Sequence, residues 1–85
     1  MKFYVYILKS DANESYYIGS TKDIYKRLKL HNSGMVTSTK RYMPWRLVYN
    51  MEYPSLSDAR EKETQIKSWK KPSAIEKLVN NAAMV

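Results

Sequence analysis

The sequence predicts a single α/β domain in which three short strands are interleaved with helices. Three observations carry this reading. Lys2 to Lys9, KFYVYILK, is an apolar run rich in β-formers. Trp45 to Tyr53 alternates apolar and polar residues. Two further stretches open on side chains that cap helices and then show helical spacing. At 85 residues the chain suits one domain (residues 1–85) with one small core, and neither a repeat nor a second domain is expected.

In the first strand, alternation sets Phe3, Val5 and Ile7 on one face and Tyr4, Tyr6 and Leu8 on the other. The polar stretch Ser10 to Ser15 reads as a turn, and Tyr16 to Gly19 returns as the second strand. A hairpin closing symmetrically about that turn is expected to place Tyr6 opposite Tyr17 on one face. Gly19 then reads as a tight turn from strand to helix, a place where backbone can approach a phosphate closely. The helix that follows is expected to be capped by Ser20 or Thr21, with Asp23 favouring its N-terminus. It should run to about Asn32 and close at Gly34. At about 100° per residue, Ile24, Leu28 and His31 share a stripe with Arg27 at its edge. Arg27 and His31 are one turn apart and can reach a common ligand.

Met35 to Pro44 has no sustained period and reads as a loop carrying Lys40 and Arg41. The third strand, Trp45 to Tyr53, should show Trp45, Leu47, Tyr49, Met51 and Tyr53 on one face. Ser55 with Asp58 three residues on resembles a capping box and opens a helix to about Trp69. Its inward stripe is Leu56, Ala59 and Ile66, and Glu63 falls among them while Glu61 faces water. A carboxylate there needs a cation or hydrogen bonds to compensate it, or else it reaches solvent or a lysine at the stripe's edge. Pro72 permits a last short helix, Ser73 to Asn80, followed by a frayed tail.

Fifteen Lys and Arg against eight Asp and Glu give a net charge of +7, which suits a polyanion. Eight tyrosines interleaved with that basic charge suit nucleic acid in particular. The absence of cysteine excludes disulfides and thiolate zinc sites, and a single histidine excludes a histidine-rich metal centre. A bound metal would therefore be held by carboxylate and water, as magnesium or manganese are. No apolar run approaches a membrane span and the N-terminus lacks signal-peptide architecture, so a cytoplasmic protein is expected.

Tyr6 within VYI, Tyr17-Ile18-Gly19, Arg27, His31 in HNSG, the PWRLVY strand and Glu63 in E-x-x-I-K together resemble the GIY-YIG nuclease superfamily. The likeness covers roughly residues 2 to 80 and is greatest to the small stand-alone bacterial members. It implies a small antiparallel sheet flanked by helices, and a metal-dependent endonuclease acting on the phosphodiester bonds of DNA. By position, Tyr6 and Tyr17 are the two motif tyrosines, Arg27 is the helix arginine, and His31 stands where relatives hold His or Tyr. Glu63 matches the metal ligand, for one magnesium or manganese ion. Arg27 would clamp a phosphate oxygen, and Tyr17 would orient or deprotonate water that Tyr6 positions. His31 would supply a second phosphate contact or take up a proton.

Val5 stands where the family name has its first glycine, as in many small members. Ser20 stands where some repair relatives carry a lysine, and Asn80 or Asn81 matches a late asparagine of others. Lys40, Arg41 and Arg46 are solvated charge or, as DNA contacts, would give affinity without sequence reading. Tyr4, Tyr16 and Tyr49 read as packing aromatics. Two other function classes fit the same residues: a non-catalytic nucleic-acid-binding module on this scaffold, and an interaction protein whose basic surface is incidental.

Overall fold

A computed structural model describes residues 2–69 and 71–83, with side chains to residue 81. The elements run β1 (Phe3–Ser10), β2 (Tyr16–Thr21), α1 (Ile24–Asn32), a 3-10 turn (Lys40–Tyr42), β3 (Trp45–Tyr53), α2 (Leu56–Lys67) and α3 (Pro72–Ala83). The three strands form one antiparallel sheet in the order β2-β1-β3, so the expected three-stranded sheet flanked by helices is the fold. The tail beyond Ala83 lies outside the described residues.

The central strand explains its own composition. Val5, Tyr6, Ile7 and Leu8 are all buried because both faces of the sheet are covered. On one face Val5, Ile7, Ile18 and Tyr49 pack against Ala59 and Ile66 of α2 and Ile75 of α3. On the other, Tyr6, Leu8 and Trp45 pack with Tyr17, Leu28 of α1 and Tyr42 and Met43 of the following loop. Helices therefore lie on both sides of a three-stranded sheet.

The hairpin closes symmetrically, with Lys9 opposite Tyr16, but this pairs Tyr6 with Gly19 and Tyr17 with Leu8. The expected pairing of Tyr6 with Tyr17 is thus wrong by two residues. Because side chains alternate with period two, the two tyrosines still share a face. Inside the turn, Ser10 Oγ accepts from the backbone N–H groups of Ala12 and Asn13 and donates to the Tyr42 carbonyl at 2.6 Å.

Gly19 is not a turn. β2 continues through it to Thr21, and the cap of α1 is Asp23, whose carboxylate accepts from Lys26 N–H at 3.0 Å. Ser20 is drawn away from capping by a bond to α2, and Thr21 Oγ1 accepts instead from Asp23 N–H. The other end of α1 is as expected: Gly34 takes φ +80 just after the Ser33 cap, a conformation that favours glycine.

β3 departs most from its pattern. Leu47 pairs with Leu8 and Tyr49 with Ile7, leaving Val48 as an extra residue in a bulge. The bulge reverses the phase of the alternation. Trp45 and Leu47 lie on the Tyr6 face, whereas Tyr49 and Tyr53 pack on the Val5 face, so the five residues do not share one side. In α2, Ser55 Oγ accepts from Asp58 N–H, and Ala59 and Ile66 are fully buried. Leu56, at the first position of the helix, precedes the part that packs and is exposed. Both C-terminal helices differ slightly from expectation, α2 ending at Lys67 and α3 spanning Pro72–Ala83.

Candidate active site

Alternation along β2 divides the site between the two faces of the sheet. Tyr17 and Gly19 point to the α1 face, while Ile18 and Ser20 point to the α2 face. Since β2 is an edge strand, a cleft of about 370 Å³ wraps around it, lined by Tyr17, Gly19, Ser20, Arg27, Arg60, Glu63 and Thr64. Arg27 reaches it from α1 and Glu63 from α2.

Behind the cleft, on the α1 side, lies a buried polar chain. The Tyr6 hydroxyl is 3.1 Å from His31 Nε2, and His31 Nδ1 is 2.9 Å from Thr39 Oγ1. Thr39 is itself held, its carbonyl accepting from the Trp45 indole N–H at 2.8 Å. The rings of Tyr17 and His31 pack with centroids 4.6 Å apart, and those of Tyr6 and Tyr17 are 6.3 Å apart. Tyr6, His31 and Thr39 are each at most 1 % exposed, so His31 cannot touch a phosphate as the chain stands.

Burial pushes the Tyr6 phenol above its ordinary pKa; the neighbouring Arg27 pulls the other way without reversing it. Burial and then the Arg27 charge lower His31 below its ordinary value. Both groups are therefore neutral near pH 7. The Tyr6 oxygen at its side raises the Arg27 guanidinium further, yet the buried Arg27 Nε has no hydrogen-bond partner among the described residues. The guanidinium that lines the cleft is a charged donor suited to an anion that enters it.

On the α2 side, Glu63 Oε1 accepts from Ser20 Oγ and Oε2 from Lys67 Nζ, each at 2.6 Å. Burial works to raise its pKa, but these two bonds and the charges of Lys67 and Arg60 outweigh it, and the net direction is down. Glu63 is thus an ionised carboxylate in an open cleft. No group of three His, Cys, Asp or Glu that could cage a metal occurs among the described residues. One carboxylate with the Ser20 and Thr64 hydroxyls nearby still fits a hard cation that keeps much of its water and takes ligands from a phosphate.

Of the residues singled out in the sequence, Tyr17, Arg27 and Glu63 meet in the cleft, with Tyr6 and His31 directly behind. Glu61 is exposed, two residues from Glu63 and turned away. Lys40 and Arg41 border a separate concavity of about 750 Å³ with Gly34, Thr37, Ser38, Tyr42 and Met43. Arg46 is paired with Asp11 at 3.1 Å. Asn80 and Asn81 are exposed on α3 and do not line the cleft. Sequence reasoning missed Arg60 and Thr39, and it offered Glu63 a lysine partner without naming Lys67, which is that lysine. Arg60 and Lys67 stand three residues before and four after Glu63, so helical spacing alone carried a signal for them. Thr39 had none, because it lies in a loop without periodicity.

A sequence profile described as the GIY-YIG catalytic domain matches residues 2–78. The chain belongs to the GIY-YIG family. A UPF0213 protein of Streptococcus pneumoniae is 37% identical over 81 residues, covering 94% of this chain and 81% of the relative. Another, of Syntrophus aciditrophicus, is 37% identical over 82 residues, covering 94% of this chain and 93% of the relative. The solution NMR structure of a UPF0213 protein from Bacillus halodurans superposes with a TM-score of 0.60 at 36% identity, covering 94% of this chain and 84% of that one. Membership of the GIY-YIG family points to nuclease activity and a nucleic-acid substrate in general. Among the described residues no helix is long and apolar enough to cross a membrane.

Proposed function

We propose that this GIY-YIG protein is a metal-dependent endonuclease that hydrolyses phosphodiester bonds in DNA, with residues 1–85 acting as one catalytic domain. The observation that carries the reading is the meeting of Tyr17, Arg27 and Glu63 around the edge of β2. Arg27 binds a non-bridging phosphate oxygen through the part of its guanidinium that lines the cleft. Arg60, on the same wall, adds a second positive charge against the phosphate. Tyr17, at the cleft surface, orients the attacking water. Tyr6 stays a neutral phenol behind it and passes a proton on rather than keeping the charge, with His31 as the next acceptor. Glu63 would hold one magnesium or manganese ion, whose charge offsets that developing on the phosphate and on the leaving oxygen. Lys67 must release at least part of its hold on Glu63 when a cation is bound. Bacterial relatives and DNA as the proposed substrate support a cytoplasmic protein.

The test is a nicking assay with manganese or magnesium on duplex, branched and single-stranded DNA, and on RNA, with a chelator control. Cleavage of DNA that the chelator abolishes is expected. A second reading, a non-catalytic nucleic-acid-binding module on the same scaffold, is favoured by one observation: both Glu63 oxygens already accept hydrogen bonds from the chain itself. Salt-sensitive DNA binding with no cleavage on any substrate would decide for it.

A further inference from the structure

We infer that Thr39 is a positioning residue that fixes His31 in its Nδ1–H form, so that Nε2 is an acceptor aimed at the Tyr6 hydroxyl. The catalytic meaning of this rests on the nuclease reading above; the hydrogen-bond assignment does not.

In this closed space each donor has to be matched to an acceptor. Tyr6, His31 and Thr39 are buried, so each hydrogen must find a partner within the chain. A neutral imidazole has one N–H and one bare nitrogen. If Nε2 carried the hydrogen, it would donate to the Tyr6 oxygen, and the Tyr6 O–H would need another acceptor. None is present among the described residues. Its other polar neighbour, Arg27, has only donors. If Nδ1 carries the hydrogen, every donor is matched. Nδ1–H donates to Thr39 Oγ1 at 2.9 Å, and the Tyr6 O–H donates to Nε2 at 3.1 Å. The Thr39 hydroxyl points its own hydrogen at the Val36 carbonyl, 3.4 Å away. The Tyr6 lone pairs are then left facing the Arg27 guanidinium.

Thr39 is fixed for this task from two directions. Its backbone N–H donates to the Val36 carbonyl at 3.1 Å, and its carbonyl is held by the Trp45 indole. Trp45 is in turn joined to the end of α1 by the Asn32 side chain, which donates to its carbonyl at 2.8 Å. The loop between α1 and β3 thus places one hydroxyl against the far nitrogen of the histidine. In the proposed reaction, this leaves the Tyr6 proton a single exit. As the Tyr6 oxygen takes a proton that Tyr17 relays from the attacking water, the hydrogen it already carries moves to His31 Nε2. The imidazolium formed keeps both N–H groups bonded, one to Tyr6 and one to Thr39.

His31 is the only histidine in the chain, so its ring nitrogens can be read without ambiguity in a long-range ¹H–¹⁵N spectrum of the labelled protein. The expected spectrum has hydrogen on Nδ1 and a bare Nε2. Thr39→Val, close in shape, should lose that pattern, and Thr39→Ser should keep it. Tyr6→Phe should also keep it, because Thr39 Oγ1 is then the acceptor left for the one ring N–H; this variant decides if Thr39→Val does not fold. Hydrogen on Nε2 in the parent, an unchanged pattern in folded Thr39→Val, or a switch in Tyr6→Phe would each overturn the assignment. If the parent cuts DNA, Thr39→Val should lower kcat by about tenfold with KM unchanged, the low end for losing a group that orients a histidine, and Thr39→Ser should restore it. Parental kcat in Thr39→Val would remove the positioning role. A parent that cuts nothing refutes the nuclease reading, and the spectrum alone then decides the tautomer.

Discussion

The ring of Tyr6 passes across Gly19 so closely that a Cβ at that glycine would stand 2.5 Å from the phenolic oxygen and 2.6 Å from Cζ. The glycine is there to admit a ring, since the two residues are direct partners across the hairpin. Gly19→Ala should therefore displace Tyr6 and destabilise the domain by about 1–3 kcal/mol, as overpacking in a filled core does. In a Tyr6→Ala background the same change should cost less than about 0.5 kcal/mol, because the clash has gone. Denaturant unfolding of the four proteins measures the coupling; additive costs would show that the ring does not depend on the glycine.

Glu63 and Glu61 supply an internal comparison. They lie two residues apart on α2, one in the cleft and one in water. Glu63→Gln should slow cleavage by about a thousandfold if a cation it holds lowers the barrier by roughly 4 kcal/mol. Glu61→Gln should change the rate by less than about threefold, as for an exposed position. Single-turnover rates with metal present measure both, and a Glu63→Gln protein as fast as the parent would end the metal-ligand assignment.

The depressed pKa of His31 has a consequence for stability. Burial and the Arg27 charge hold its folded value below the ordinary 6.5, so the unfolded chain binds the proton more readily. The contribution from neutral His31 is fully present above about pH 6.5 and is lost as pH falls through the folded value. The histidine should titrate below 6.5 by NMR, and Tm should fall on acidification from neutral pH. A midpoint at or above 6.5 would contradict the burial argument.

The basic residues should not contribute equally to DNA binding. Lys40 and Arg41 border an open concavity, whereas Arg46 is already paired with Asp11. Replacing Lys40 and Arg41 together by Ala should reduce the steepness of the salt dependence by about two, at roughly one unit per phosphate contact. Arg46→Ala should change it by less than half a unit, on the order of what a surface ion pair permits. Binding titrations over a range of salt give both slopes.

Much of this was legible in the sequence. The apolar runs, the Ser55 cap and the glycine after α1 are local signals, and they located all three strands and all three helices. Tyr17, Arg27 and Glu63 were found because short motifs carry them. What escaped notice depends on contacts between distant segments. The bulge at Val48 is a property of a strand pair, and it reversed the phase of β3 without any mark in the alternation. Gly19 looked like a turn because its actual constraint, the Tyr6 ring, lies thirteen residues earlier in the chain. Thr39 is buried because α1 and β3 close over it, and Ser20 was drawn from a cap to Glu63, 43 residues further along the chain.

The cleft wraps around β2, the outer strand of the sheet, and draws its walls from helices on opposite sides. That strand must therefore stay bare. A second chain that extended the sheet by pairing along β2 would run its backbone across the mouth between Arg27 and Glu63. Self-association by strand addition at this edge would shut the site, so a dimer with an open cleft has to form through the β3 side or through a helical surface.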